Sequence, residues 1–206
     1  MRVVIAGFGR FPGARFNPSA RLATALARRR RPTFASIERS AHVFATAYAA
    51  VDRDLPKLFA AKPDIVLIFG LAARRRALCI ETRARNSRSV LFPDASRYRP
   101  ETSAIARGKP SSRRGNAPFA RLLGAARGRA VPIRLSRDAG RYLCNYAYWR
   151  ALEATRDGRP LIAFVHIPTV RVAPQRRRGR RRAPPLAQVV ATAEALLIAL
   201  LAASRR

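Results

Sequence analysis

The chain is poor in the side chains that most often carry chemistry. Its 206 residues include two cysteines, two histidines, one methionine and one tryptophan. Cys79 and Cys144 stand 65 positions apart, which excludes a repeated zinc-ligand spacing and a disulfide framework. No metal and no cofactor is expected, and a reducing cytoplasm is the expected compartment. Lysine is scarce as well: of 42 basic residues only Lys57, Lys62 and Lys109 are not arginine, against 11 acidic residues. The opening apolar run, Met1-Arg2-Val3-Val4-Ile5-Ala6, is too short for a signal peptide, and glycines from Gly7 to Gly13 break it; it reads as a strand entering a turn.

The formal charge of +31 invites a nucleic-acid reading. The skew toward arginine points instead to a biased coding composition in which Arg fills surface positions. The runs Arg28–Arg31, Arg74–Arg76, Arg176–Arg178 and Arg180–Arg182 are dispersed, and none interleaves aromatics as a base-stacking platform would. Non-specific binding at low salt is expected, a specific nucleic-acid partner is not.

What is present is a globular pattern. About half of the residues are apolar, which argues against global disorder, and the length suits one domain over residues 1–206. Short β-branched runs at 2–6, 64–69, 131–135 and 161–166 read as buried strands, with helical patterns at about 18–30, 51–61, 117–127 and 140–156 between them. That alternation predicts an α/β sandwich on a mainly parallel sheet. Polar, Arg- and Pro-rich stretches at 94–116 and 171–185 read as surface excursions. A last helix at about 185–203 is apolar enough to suggest a membrane span. Gln188, Thr192 and Glu194 interrupt it and its length is marginal, so a helix docked on the domain, and touching a partner subunit, is the better reading. No membrane association is expected.

Several residues could carry function. Gly7-Phe8-Gly9-Arg10-Phe11-Pro12-Gly13 superficially follows a dinucleotide fingerprint, but its last glycine is one place late, Pro12 intrudes, and no carboxylate appears before Glu38. Phe8 and Phe11 could wall a small apolar pocket or simply pack the loop down. Cys144 follows Ser136-Arg137-Asp138-Ala139-Gly140, which has the cap formers of a helix start. It is either a buried small hydrophobe or a nucleophile whose thiolate is favoured by a helix's first turn. His166 closes the run Leu161–Val165, where open α/β sheets keep their sites; it is a general base or a satisfied buried ring. Glu81 lies among Arg76, Arg83 and Arg85, and is half of an ion pair or the group that orients the histidine. Cys79 and His42 read as structural.

Taken in order, these segments resemble the pyroglutamyl peptidase I family, cysteine peptidases of the C15 type. The resemblance rests on the Gly7–Gly13 turn with Asn17-Pro18-Ser19, on Lys62-Pro63-Asp64 leading a strand to Gly70, and on Glu81, Ala84 and Asn86. Gly140-Arg141-Tyr142-Leu143-Cys144-Asn145 and His166-Ile167-Pro168 complete it. It implies a three-layer α/β/α sandwich with helices on both faces of a mainly parallel mixed sheet, and a homo-oligomer, dimer or tetramer. It also implies a triad of Cys144 as nucleophile, His166 as base and acid and Glu81 as orienter. Phe8 and Phe11 would sandwich a lactam ring, with Phe92, Tyr142 and Leu143 lining the pocket, and the Cys144 N–H would help hold the oxyanion. The implied substrates are peptides with N-terminal pyroglutamate. The chain departs from the pattern at Ala73-Arg74-Arg75, where the family reads Gly-Gly-Arg, at Thr82, and at Leu91, where the family carries an arginine near the oxyanion. Leu91 predicts weakened activity unless another arginine, such as Arg88, substitutes. The alternative is a catalytically impaired C15-like fold that binds ligands or serves as a structural oligomer.

Overall fold

A computed structural model describes residues 1–11, 16–171 and 183–205. Three apolar runs make the centre of the sheet: β1 (Arg2–Phe8), β3 (Ile65–Leu71) and β8 (Leu161–Ile167), nearly all of whose residues are buried. Strands covered on both faces have no polar side to show, which is why they read as continuous hydrophobic runs. Around them lie β2 (Glu38–Phe44), β4 (Leu78–Glu81) and β7 (Ile133–Ser136), in the order β2-β1-β3-β8-β4-β7. All neighbouring pairs are parallel except β4 with β8, which is antiparallel. A two-stranded ribbon, β5 (Arg83–Arg85) with β6 (Ser112–Arg114), stands apart.

Side-chain alternation sorts the core into two layers. Val3, Ile5, Leu67, Phe69, Ile80, Val165 and Ile167 face one side, under α1 (Pro18–Ala27), α3 (Phe119–Ala126) and α5 (Leu186–Ser204). Val4, Ala6, Val66, Ile68, Ile162 and Phe164 face the other, under α2 (Tyr48–Ala60) and α4 (Leu143–Glu153). This is the α/β/α sandwich with a mixed, mainly parallel sheet that the sequence predicts. α5 is long and apolar enough to cross a membrane, yet 61% of its most apolar stretch is buried, and it packs on α1, α3, β3 and β8.

The structure adds elements that the sequence pattern hides. β2 is an edge strand with only Phe44 fully buried, so Glu38, Arg39 and Ser40 mask its period. β4 is only four residues long. β6 falls within 94–116, so that excursion is not wholly irregular, and Asn86 ties it down by accepting from the N–H groups of Ile105 and Ala106 and donating to the Ala106 carbonyl. Most of the 171–185 excursion lies outside the described residues; at its ends, the Arg171 N–H donates to the Pro184 carbonyl at 3.0 Å.

Candidate active site

The site is built where β3 and β8 end side by side. Gly70 and His166, each next to last in its strand, are register partners, at the carboxyl edge where open α/β sheets place their chemistry. His166 shares its face with Ile162 and Phe164, beneath α4. On β4, Leu78 and Ile80 fill the opposite face, so Cys79 and Glu81 turn toward the histidine. Glu81 lies opposite Phe164 and therefore diagonal to His166, a separation that a long side chain spans. Its Oε1 sits 2.8 Å from His166 Nδ1.

Cys144 is the second residue of α4. Its helix has Tyr142 at the N-cap with no side-chain capping bond. The cap formers ahead of it do something else. Ser136 Oγ accepts from the Asp138 N–H at 3.2 Å, and Asp138 Oδ1 from the Gly140 N–H at 3.1 Å, while Gly140 takes φ +82°. They shape the turn that aims the helix and leave its first N–H groups without a side-chain acceptor, so the positive end of the helix dipole lies beside the sulfur. The sulfur itself occupies the space over Gly70, since a Cβ there would stand 2.8 Å from Cys144 Sγ.

Electrostatics couples the three groups. Burial pushes the Glu81 carboxyl up, but bonding and charge from His166, with Ser136 and Arg75, outweigh it and hold the group below the usual carboxylate range. For His166 burial favours the neutral ring, yet the Cys144 sulfur and the Glu81 carboxylate, by hydrogen bonding and charge, raise its pKa to about 9.

Two supporting residues carry no assigned role in the sequence pattern. Asn145 is fully buried: its Oδ1 accepts from the Arg85 N–H and its Nδ2 donates to the carbonyls of Arg85 and Ser87, all at 2.8 Å. It fixes the start of α4 to the end of β5. Arg75 donates to Glu81 Oε1 at 2.6 Å, the oxygen that also faces His166. The signal for Asn145 was its place beside Cys144; for Arg75 it was the arginine retained in Ala73-Arg74-Arg75. Of the remaining candidates, His42 pairs with Asp54 at 3.2 Å, joining β2 to α2, and Cys79 is fully buried.

The aromatic candidates separate into buried and open groups. Phe8 is 2% exposed and packs on Phe44 at 5.5 Å between ring centroids, and Leu143 is likewise buried. Phe11 is half-buried, while Pro12 and Gly13 of its turn lie outside the described residues. That loop is pinned by Asn17, which caps α1 through the Ser19 N–H and donates to the Gly9 carbonyl at 3.0 Å. Tyr142 donates to the Pro93 carbonyl at 2.8 Å. Together with Arg88, Leu91, Phe92 and Arg141 it lines a recess of about 390 Å³, two residues from Cys144. Leu91 and Phe92 are 71% and 66% exposed there, and the Arg88 guanidinium donates to the Thr102 carbonyl at 3.1 Å.

Comparison with known proteins identifies the family. The family described as pyroglutamyl peptidase, Peptidase_C15, matches residues 1–206. A pyrrolidone-carboxylate peptidase of Pyrococcus furiosus is 29% identical over 90% of this chain and 89% of its own. One from Thermococcus onnurineus is 30% identical over 82% of this chain and 84% of its own. Among solved structures, the pyrrolidone carboxyl peptidase of Thermus thermophilus is similar with a TM-score of 0.82 at 26% identity, covering 96% of this chain and 99% of that one. The enzyme of Thermococcus litoralis, at 24% identity, shares the fold with a TM-score of 0.86, over 98% of this chain and 93% of its own.

Proposed function

We propose, from the premise that the chain belongs to the pyroglutamyl peptidase family, that it is a cysteine exopeptidase releasing N-terminal pyroglutamate from peptides through Cys144, His166 and Glu81. The observation that carries this reading is the 2.8 Å contact between Glu81 Oε1 and His166 Nδ1, with the sulfur of Cys144 lodged over the strand position paired with His166.

Glu81 accepts a hydrogen bond from the Nδ1–H and leaves Nε2 to exchange a proton with the thiol. The Cys144 proton passes to His166, and the thiolate attacks the carbonyl of the lactam-bearing residue. The C–N bond breaks as the imidazolium gives its proton to the leaving amine. Water then hydrolyses the thioester, with His166 taking its proton. The Cys144 N–H, at an uncapped helix start, holds the developing oxyanion. Phe8 backs the lactam site and Phe11 faces it, with Phe92, Tyr142 and Leu143 lining the same pocket. Aromatic walls stack on a flat uncharged ring, whereas they would desolvate the charged amine of an ordinary N-terminus at a penalty.

The test is release of a fluorogenic amine from its pyroglutamyl amide, with Cys144→Ala alongside. Loss of release in the variant supports the reading, and equal rates in both proteins remove it. One observation favours a second reading, a C15-like fold impaired in turnover: Leu91 stands exposed in the recess where an arginine is expected. Slow release by the wild-type protein together with rapid alkylation of Cys144 by iodoacetamide would select it.

A further inference from the structure

Glu81 Oε1 is shared by two donors. His166 Nδ1 lies 2.8 Å away and Arg75 Nη1 2.6 Å away. The same guanidinium reaches Ser136 Oγ at 3.3 Å and, through Nη2, the Asp138 carbonyl at 2.6 Å. Arg75 thus joins the acid on β4 to the turn that leads into the nucleophile's helix. Glu81 has no exposed surface, while the Arg75 side chain is 22% exposed.

We propose that Arg75 is a positioning residue that keeps Glu81 ionised through the half of the cycle in which His166 is neutral. This rests on the triad reading and deepens it. While the ring is an imidazolium, it can balance the Glu81 charge by itself. Once it has given its proton to the leaving amine, the ring is neutral, and a fully buried carboxylate would be left unpaired at a desolvation penalty. Such a group takes up a proton. A protonated Glu81 would donate to Nδ1 and place the ring hydrogen on Nε2, the tautomer that cannot accept a proton from water. Arg75 removes that route by holding a permanent cation on the shared oxygen. Water can then add to the thioester carbon as Nε2 takes its proton, and the C–S bond breaks to return the thiolate.

The other groups around the pair do not supply this charge. Arg134 on β7 donates to Cys79 Sγ at 3.3 Å, and the Tyr148 hydroxyl to the Glu81 backbone carbonyl at 2.9 Å. The Asp138 carboxylate pairs with Arg85 at 3.5 Å, and Cys144 lies on the far side of the ring from Glu81 in the chemistry proposed.

The experiment compares wild type, Arg75→Gln and Arg75→Lys on the pyroglutamyl amide of a fluorogenic amine, in steady state and in the first turnover. Arg75→Gln keeps a donor without the charge and is expected to slow deacylation. Both kcat and KM should fall, kcat by on the order of 10-fold or more, and a burst of one amine per active site should precede the slow phase. Arg75→Lys should restore much of kcat and abolish the burst. A fall in kcat with unchanged KM and no burst, or no change at all, overturns the proposal. Should Arg75→Gln fail to fold, Arg75→Lys decides alone, because a burst with the charge retained contradicts it. Wild type against Cys144→Ala separates this from failure of the parent reading: if those two release amine equally, the triad itself is wrong.

Discussion

Gly70 and Cys144 compete for one space. A methyl group on Gly70 would meet the sulfur at 2.8 Å and the Phe164 ring at 2.9 Å. The strand under the sulfur therefore needs a residue without a side chain at this position, and β3 supplies Gly70 there, after four β-branched or aliphatic residues and a phenylalanine and before Leu71 closes the strand.

Gly70→Ala tests that requirement. The protein should fold, because the sulfur and the ring can each shift, at an overpacking penalty of about 1–3 kcal/mol. The sulfur should lose its alignment with His166, and kcat/KM should fall by roughly 10²-fold, as a displacement of about 1 Å does elsewhere. Steady-state kinetics with a thermal melt would check both; a variant with wild-type kcat/KM would show that the contact is not needed.

Asn145→Ala should act from behind the site. It leaves the Arg85 N–H and the Arg85 and Ser87 carbonyls without their partner. A fully buried group abandoned in this way costs about 1–3 kcal/mol, and these partly buried ones stand at the lower end. A loss of roughly 3 kcal/mol corresponds to about 6–12 °C in Tm for a chain of this size. Calorimetry of the variant would measure it, and Asn145→Asp, which sets a buried carboxylate oxygen against the Arg85 and Ser87 carbonyls, should lose at least as much.

How much of this could be read from the sequence follows from what each residue depends on. The central strands and α5 were legible because continuous apolar runs record burial on both faces. β2 was not, because an edge strand with Glu38, Arg39 and Ser40 shows no clean period. The α4 start was placed near Cys144, yet Ser136 and Asp138 look like caps and instead form the turn before it. Arg75 is marked among 39 arginines only as the one retained in Ala73-Arg74-Arg75, and that mark does not say what it bonds. Its role depends on where Glu81 points, which is set by the diagonal of Glu81 and His166 across an antiparallel pair, and nothing local in the chain encodes that pairing.

The pH dependence should follow the His166 ring. Its pKa is raised from 6.5 to about 9, so the proton needed by the leaving amine is available below that value, and the basic limb of kcat/KM should lie near pH 9. Glu81→Gln removes one of the two raising influences and should move this limb downward. Linkage gives the matching sign for stability. A group with a raised folded-state pKa contributes fully below pH 6.5 and loses that contribution as pH rises through 9. Urea unfolding of the wild type should weaken across this window, and less so in Glu81→Gln. A basic limb unmoved in that variant would detach Glu81 from the histidine.

Leu91→Arg should raise activity. Leu91 is 71% exposed and borders the recess that also holds Arg88, Arg141 and Tyr142, so an arginine there has room to extend without disturbing the core. Its backbone is already fixed, the Leu91 N–H donating to Ser89 Oγ at 3.2 Å. If the site lacks one donor to the developing oxyanion, restoring it is worth up to roughly 10²-fold in kcat. Such a gain should appear with little change in KM, since the donor acts on charge that exists only in the transition state. Arg88 is the native competitor for this task, but its guanidinium donates to the Thr102 carbonyl. Arg88→Met therefore separates the cases: a loss of activity in that variant, with no gain in Leu91→Arg, would show that Arg88 already supplies the charge.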